Sequence, residues 1–425
     1  MGHLAGPPGP RGHRLLGSLL EVRKDKLRFV ARATREHGDL VLFRMGPARR
    51  LYLLSHPEPI HHVLHDNPGG YIKGIGLEQA RILLGEGILT SEGDLWSSQR
   101  QSLLHLFVQD RLAGYAGTIE QAAERMIGRW RAAAESGQPV EVSGETVRLA
   151  LEVLGGTLLG ADLNGLGERL TPALDEVVRW SIRRMAAVLP LPPSVPTPAN
   201  LRCRRAVQQL EEIADEILAR GGGNGFLSAL GESDPKQLRQ EVLSLVLAGH
   251  ETTATTLSWC CHLLANHPEI QQKLRDEAAG ARPADLPRLP YARMVVEEAI
   301  RLYPPVWMIT RRAVAEDRIG GYSIPAGSDI LISVHTLHRH PDFWEAPEEF
   351  RPERFGTRPS QAYMPFGTGP RACLGRGFAF LEAILTLSLI VRSFELLPVP
   401  GKPPEAEPLL TLRPRNGLYL RLRAV

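Results

Sequence analysis

Two short runs in this sequence carry the residue types and spacings that could do chemistry. The first is Phe366-Gly367-Thr368-Gly369-Pro370-Arg371-Ala372-Cys373-Leu374-Gly375, with a single cysteine near its end. Gly367, Gly369 and Pro370 let the backbone turn tightly and approach a bound group closely, and Gly375 leaves room above a helix start. The apolar run Arg376–Phe394 reads as that helix, and a helix N-terminus favours an anionic thiolate. The second run, Ala248-Gly249-His250-Glu251-Thr252-Thr253, lies inside a long apolar helix, Lys236–Leu264. A mid-helix glycine and threonines at 252, 253, 255 and 256 lower helix propensity, so something other than helix stability selects them. Ala248 and Gly249 share a face with Thr252 and Thr253 one turn on. A Thr hydroxyl bonded back to the preceding turn can open the helix and admit water. Glu251 is rotated about 100° from Thr252, so acid and alcohol together could relay protons. His250 is given no role.

A thiolate opening onto an apolar cleft suits haem iron, because a Cys ligand pushes electron density onto the metal and favours O–O cleavage. Phe366, Gly369, Arg371, Cys373 and Gly375 fall on the signature Phe-x-x-Gly-x-Arg-x-Cys-x-Gly. On these residues the chain resembles the cytochrome P-450 family of haem-thiolate monooxygenases. The resemblance implies a mainly α fold with a minor β part, one large domain over 1–425 that encloses haem b. It implies Cys373 as axial iron ligand, with Phe366, Gly367, Arg371 and Gly375 around the haem. Ala248 and Gly249 would leave space for O2, and Thr252 with Glu251 would manage the protons. Trp96 and Arg100, at i and i+4 on a helix running to about Phe107, resemble the family pair on a haem propionate; an indole N–H and a guanidinium can hold a carboxylate between them. Of Arg311 and Arg312, counting from Glu316-Asp317 favours Arg312 for the propionate, and His338 is a further candidate near it.

The elements that must position these residues follow in order. Residues 1–25 form a proline-rich hinge. Relatives in membranes carry such a hinge after an anchoring helix; here it comes first, which implies a soluble, cytoplasmic enzyme. Lys26–His37 has helical spacing, and Asp39–Leu54 alternates around Gly46-Pro47-Ala48 as a hairpin. With 306–340, residues 26–66 make the sheet-rich part. Glycines break 67–95 into a loop with a short helix around Leu77–Leu84, which in relatives covers the pocket. Amphipathic helices follow at Ile119–Ala134, Gly144–Leu159, Arg169–Val188 and Asn200–Ala219. The last two, split by a proline-rich loop, would form a lid over 169–220, closed by the flexible connector Gly221–Gly225. The central helix is 236–264 and the haem-thiolate loop 366–375.

Glu298 and Arg301 can pair at i, i+3 on Val295–Leu302, and Glu297 could reach Arg301 at i+4. The family's Glu-x-x-Arg motif selects Glu298, and Arg354 of Pro352-Glu353-Arg354-Phe355 is the implied third member. The resemblance makes Val306, Trp307, Met308 and Ile309 a pocket segment, with Leu409 and Leu410 at the start of a terminal hairpin made from Leu409–Leu412 and Gly417–Leu422.

The 425 residues are 43% hydrophobic with a formal net charge of +3, so nothing proposes a nucleic-acid partner. The basic residues are nearly all arginine, which suggests a GC-rich bacterial coding bias. Four cysteines without metal-type spacing fit a reducing compartment, and Met1 to Arg14 carries no apolar run that would propose a signal peptide or membrane anchor. No dinucleotide fingerprint or iron–sulfur Cys run is present, so electrons from NAD(P)H would arrive through separate partners, a ferredoxin or flavodoxin with its reductase. Arg371, Arg376 and Arg358 would form the docking face of a monomer. The expected reaction is oxygen insertion into an apolar small molecule, a terpenoid or polyketide secondary metabolite. The alternatives are a fatty-acid hydroxylase, an enzyme of oxidative ring formation or coupling, and a non-catalytic haem-binding sensor.

Overall fold

A computed structural model describes all residues except 1–5, 47–48, 164, 188–190, 222–224, 232–233 and 358–359. The architecture is organised by the helix Pro235–Asn266, which starts with Pro at its first position, where a missing N–H costs nothing. Its two ends lie in different cores. Val242 to Leu247 pack with Leu151, Leu170, Val177 and Leu210 of neighbouring helices. Leu257 to Ala265 pack with Met126, Val295, Leu385 and Leu387. The run of Thr and Gly noted in the sequence falls in the segment joining the two cores.

The two helices expected over 169–220 are Gly167–Met185 and Pro198–Arg220, which pack on each other and, through the second, on the central helix; the side they form is termed the lid side. The second helix starts two residues before the expected Asn200: Thr197 caps it, accepting from Asn200 N at 3.1 Å, with Pro198 following. On the opposite side, Arg376–Ser393 packs against Gln109–Ser136 and Pro268–Gly280. Lys26–His37 holds its expected bounds, capped by Asp25, with Phe29, Val30 and Ala33 buried.

A five-stranded sheet has the order Leu40–Met45, Arg49–Leu54, Asp329–Ser333, Met308–Ala313, Tyr71–Lys73, with only the second and third parallel. It joins the two sequence-distant stretches expected to pair. The turn of the first hairpin, at Pro47-Ala48, and Gly222 to Asn224 of the Gly connector lie outside the described residues.

Two boundaries change. The 1–25 hinge contains a short helix, Leu19–Lys24, whose Leu19 is buried. The terminal hairpin is not one unit. Leu412–Arg415 pairs with Glu405–Pro408, whereas Tyr419–Ala424 pairs with Phe394–Pro398 and Val140–Glu141. Alternation around Arg413 to Asn416 identified strand character but could not name partners, since period 2 is the same in either sheet.

Candidate active site

The cysteine loop is built by two left-handed glycines. Gly367 has φ 68° and Gly369 φ 72°, a region other residues rarely occupy. Gly369 has a second constraint: a Cβ there would stand 2.0 Å from the Leu64 carbonyl oxygen. Cys373 N donates to the Phe366 carbonyl at 3.0 Å and Ala372 N to that of Gly369 at 3.1 Å, closing the loop before Arg376–Ser393 begins. Phe366 anchors the loop, its ring 5.3 Å from that of Phe380.

Cys203, Cys260 and Cys261 are buried, and Cys373 alone of the four is exposed. Protein atoms nonetheless surround its sulfur on most sides, as befits a side chain facing an internal cleft. That burial pushes the thiol's pKa up; the Gly375 N–H, Arg100 and Arg376 pull it down without winning. In the chain by itself burial thus opposes the thiolate that the helix start favours, and a metal cation facing the sulfur would restore it.

Four cationic or donor side chains gather beside the loop. Trp96 lies between two guanidiniums, with Arg371 5.0 Å and Arg100 5.7 Å from its ring centroid. Arg371 also pairs with Glu92, yet its Nη1 is buried with no hydrogen-bond partner. Arg311, on the strand Met308–Ala313, is buried near Arg371 and Glu92; desolvation lowers its pKa to about 10, with Arg371 adding to the shift and Glu92 opposing it. An orphaned buried N–H within such a positive group calls for an anion, and the two propionates of haem fit it. The choice of Arg312 is thereby corrected. Its guanidinium is held by Glu78 at 2.9 Å and Asp329 at 3.0 Å, because successive strand residues face opposite ways, and Arg311 takes the inner position. His338 is not among the four either. Its Nε2 accepts from Met364 N at 3.0 Å and its ring stacks on Tyr363.

On the central helix, Thr252 Oγ1 donates to the Ala248 carbonyl at 2.8 Å, the back-bond expected from the sequence. Ala248 is exposed although the seven residues before it are buried. At Gly249 a Cβ would meet Leu154 Cδ1 at 3.1 Å, so the missing side chain also lets Val142–Leu154 approach closely. Glu251 Oε1 accepts from Thr411 Oγ1 at 2.8 Å and lies 3.6 Å from Arg413 Nη1. Arg413 in turn reaches Asp175 on the lid helix at 3.0 Å and Glu407 at 3.5 Å. His250 is buried, its Nδ1 against the Val246 carbonyl.

Glu298 bonds Arg301 bidentately at 2.7 and 2.9 Å, Arg354 Nε at 2.9 Å and Arg351 N at 2.8 Å. Glu297 pairs with Arg293 instead, so the two alternatives open in the sequence are resolved for Glu298. Arg301 then binds the carbonyls of His338, Pro347 and Glu349.

In the pocket segment, Trp307 is buried with its indole donating to the Leu409 carbonyl at 3.0 Å. Ile309 Cδ1 lies 3.8 Å from where a Gly367 Cβ would stand, which places it beside the cysteine loop. Leu410 packs on the lid-side core and Val306 is exposed. Met308, half-buried, packs against the cluster of Phe29, Val41 and Phe43. On the loop's outer side Arg376 is exposed, while Arg371 is turned inward and so leaves the expected docking face; Arg358 lies outside the described residues.

Sequence reasoning missed Glu92, Thr411 and Arg413. Glu92 precedes the Trp96 helix by one residue, and no spacing linked it to Arg371. Thr411 and Arg413 sit in a segment read only as strand and turn. Among the described residues no helix is long and apolar enough to cross a membrane.

A family model for Cytochrome P450 matches residues 7–222 and 226–421. The chain is 34% identical over 413 residues to a cyclooctat-9-en-7-ol 5-monooxygenase of Streptomyces melanosporofaciens, covering 91% of this chain and 88% of that one. It is 33% identical to a cyclooctatin synthase of the same organism, over 95% and 92% of the two chains. It is 28% identical to a pentalenene oxygenase of Streptomyces avermitilis, over 96% and 95%.

Proposed function

From the premise that this chain belongs to the cytochrome P450 family and is a haem-dependent monooxygenase, we propose that it oxidises a C–H or C=C bond of an apolar terpenoid. The observation that carries the substrate class is the likeness, over nine-tenths of the chain, to enzymes named for cyclooctat-9-en-7-ol and cyclooctatin. Apolar residues at the expected pocket, Ile309, Leu409 and Leu410, accord with it.

Bound haem supplies the redox centre for dioxygen. Cys373 ligates its iron, with the Gly375 N–H and Arg100 balancing the sulfur's charge. Arg371, Arg311, Arg100 and Trp96 hold the propionates; the unpartnered Nη1 of Arg371 gains its acceptor there. Thr252 keeps a proton on Oγ1 at the open face of the central helix. Glu251 resupplies that proton from the lid side, where Thr411 and Arg413 fix its carboxylate. Trp307, fastened to the Leu409 carbonyl, keeps one pocket wall rigid.

Electrons come from NAD(P)H through a separate ferredoxin or flavodoxin with its reductase, docking at the exposed Arg376. The haem is haem b, and the enzyme is a cytoplasmic monomer. A panel of cyclic terpenoids and fatty acids, scored by the shift of the haem absorption band as bound water is displaced, tests the substrate class. Saturable shifts with a cyclic terpenoid and none with fatty acids are expected. The reverse ranking would refute the assignment.

A further inference from the structure

We propose that His61, His65 and Asp66 form a surface site for one divalent transition-metal ion of the zinc, nickel or copper type. They are the one group of three or more His, Cys, Asp or Glu among the described residues whose ligand atoms all lie within 4.8 Å of one another. Asp66 Oδ1 stands 3.0 Å from His61 Nδ1 and 3.1 Å from His65 Nδ1. The two imidazole rings lie 4.4 Å apart with a 31° tilt.

This convergence depends on an unusual backbone. His61 and His65 are i and i+4, neighbours on a helix surface. Asp66 is i+5 from His61, and in a regular α-helix those two would point about 140° apart. The segment is not regular. Pro57–His61 is α-helical, and His62–Asp66 continues as a π turn, closed by Asn67 N donating to the His62 carbonyl at 2.9 Å. An i→i+5 turn stacks residues five apart, which brings Asp66 under His61, and such turns recur at functional sites. His62 leaves the group, its Nε2 binding Asp317 at 2.9 Å.

The chemistry of the donors selects the ion. Two imidazoles and one carboxylate suit zinc, copper or nickel, and calcium and magnesium prefer all-oxygen shells. With Asp66 as acceptor, each ring carries its proton on Nδ1. When a metal takes the Nδ1 lone pairs, each ring proton moves to Nε2, which then donates to water. The exposed side chains leave the other coordination positions to water. The segment is also not remote from the haem loop, because Leu64, between the two histidines, is the residue whose carbonyl abuts Gly369.

Equilibrium dialysis of the untagged holoenzyme against zinc chloride, with bound zinc counted per chain, tests the site. One zinc per chain is expected in the micromolar range, weakened about tenfold or more in His61→Ala and in His65→Ala, and less in Asp66→Asn. Each variant is first shown to keep the wild-type carbon monoxide spectrum, so that loss of fold is distinguished from loss of ligand. Absence of a saturable zinc site in the wild type, or equal binding by His65→Ala, would overturn the proposal.

Discussion

The two sides of the central helix are held by opposite kinds of polar contact. Behind the cysteine loop, Glu298 and Arg301 are wholly buried, 0% exposed each, and every donor they own is used. On the lid side, ion pairs such as Arg183–Glu176 and Arg169–Glu216 lie at the surface, 52% and 41% exposed at their arginines. A buried network holds geometry because breaking it leaves charges without water or partner. Surface pairs cost little to make or break, as a part that moved to admit substrate would need. The molecule thus places its buried polar network behind the cysteine loop and its exposed pairs on the helices Gly167–Met185 and Pro198–Arg220.

The largest expected effect breaks the rigid side. Glu298→Ala strands the buried Arg301 and the half-buried Arg354, and should cost about 3–5 kcal/mol, seen in urea unfolding as loss of the native state and of bound haem. The matched change on the lid, Arg183→Ala, should cost less than about 1 kcal/mol in the same assay. Equal costs would erase the contrast.

The second effect lies where the two sides meet. Thr252→Ala should leave unfolding unchanged yet divert reductant into hydrogen peroxide, with product formation falling on the order of 10²-fold. Intact coupling, measured as product per NAD(P)H, would remove Thr252 from the proton path.

A smaller effect sharpens the comparison by pH. His338 sits behind the loop, buried among Arg301 and Arg339, and burial, then those two cations, lowers its pKa from 6.5 to about 3. Between those values the unfolded chain binds the proton and the folded one does not, so stability falls as pH drops from about 6.5 towards 3. His338→Gln keeps an acceptor for Met364 N and should flatten that slope in acid unfolding curves. An unchanged slope would show that other groups, such as His262, govern acid loss.

Which parts were legible in the sequence follows the same division. The cysteine loop and Thr252 could be read because each lies in a dense motif within one element, whereas spacing left Glu297 and Glu298 open and only the family resemblance named Glu298 and Arg354. Arg311 and Arg312 could not be told apart because they are adjacent in the sequence and only the facing of a strand separates them. The contact of Gly249 with Leu154 could not be read either, since it joins two helices far apart in the chain. Arg413 and Glu92 act through partners more than 150 residues away, and no periodicity carries that information.

The measurement that bears most directly on the whole account is the absorption spectrum of the reduced, haem-loaded protein under carbon monoxide. Thiolate ligation by Cys373 predicts the strongly red-shifted band, and its loss in Cys373→His with haem still bound. A wild-type protein that binds haem without that band, or a Cys373→His variant that keeps it, would contradict the assignment of Cys373 as the iron ligand.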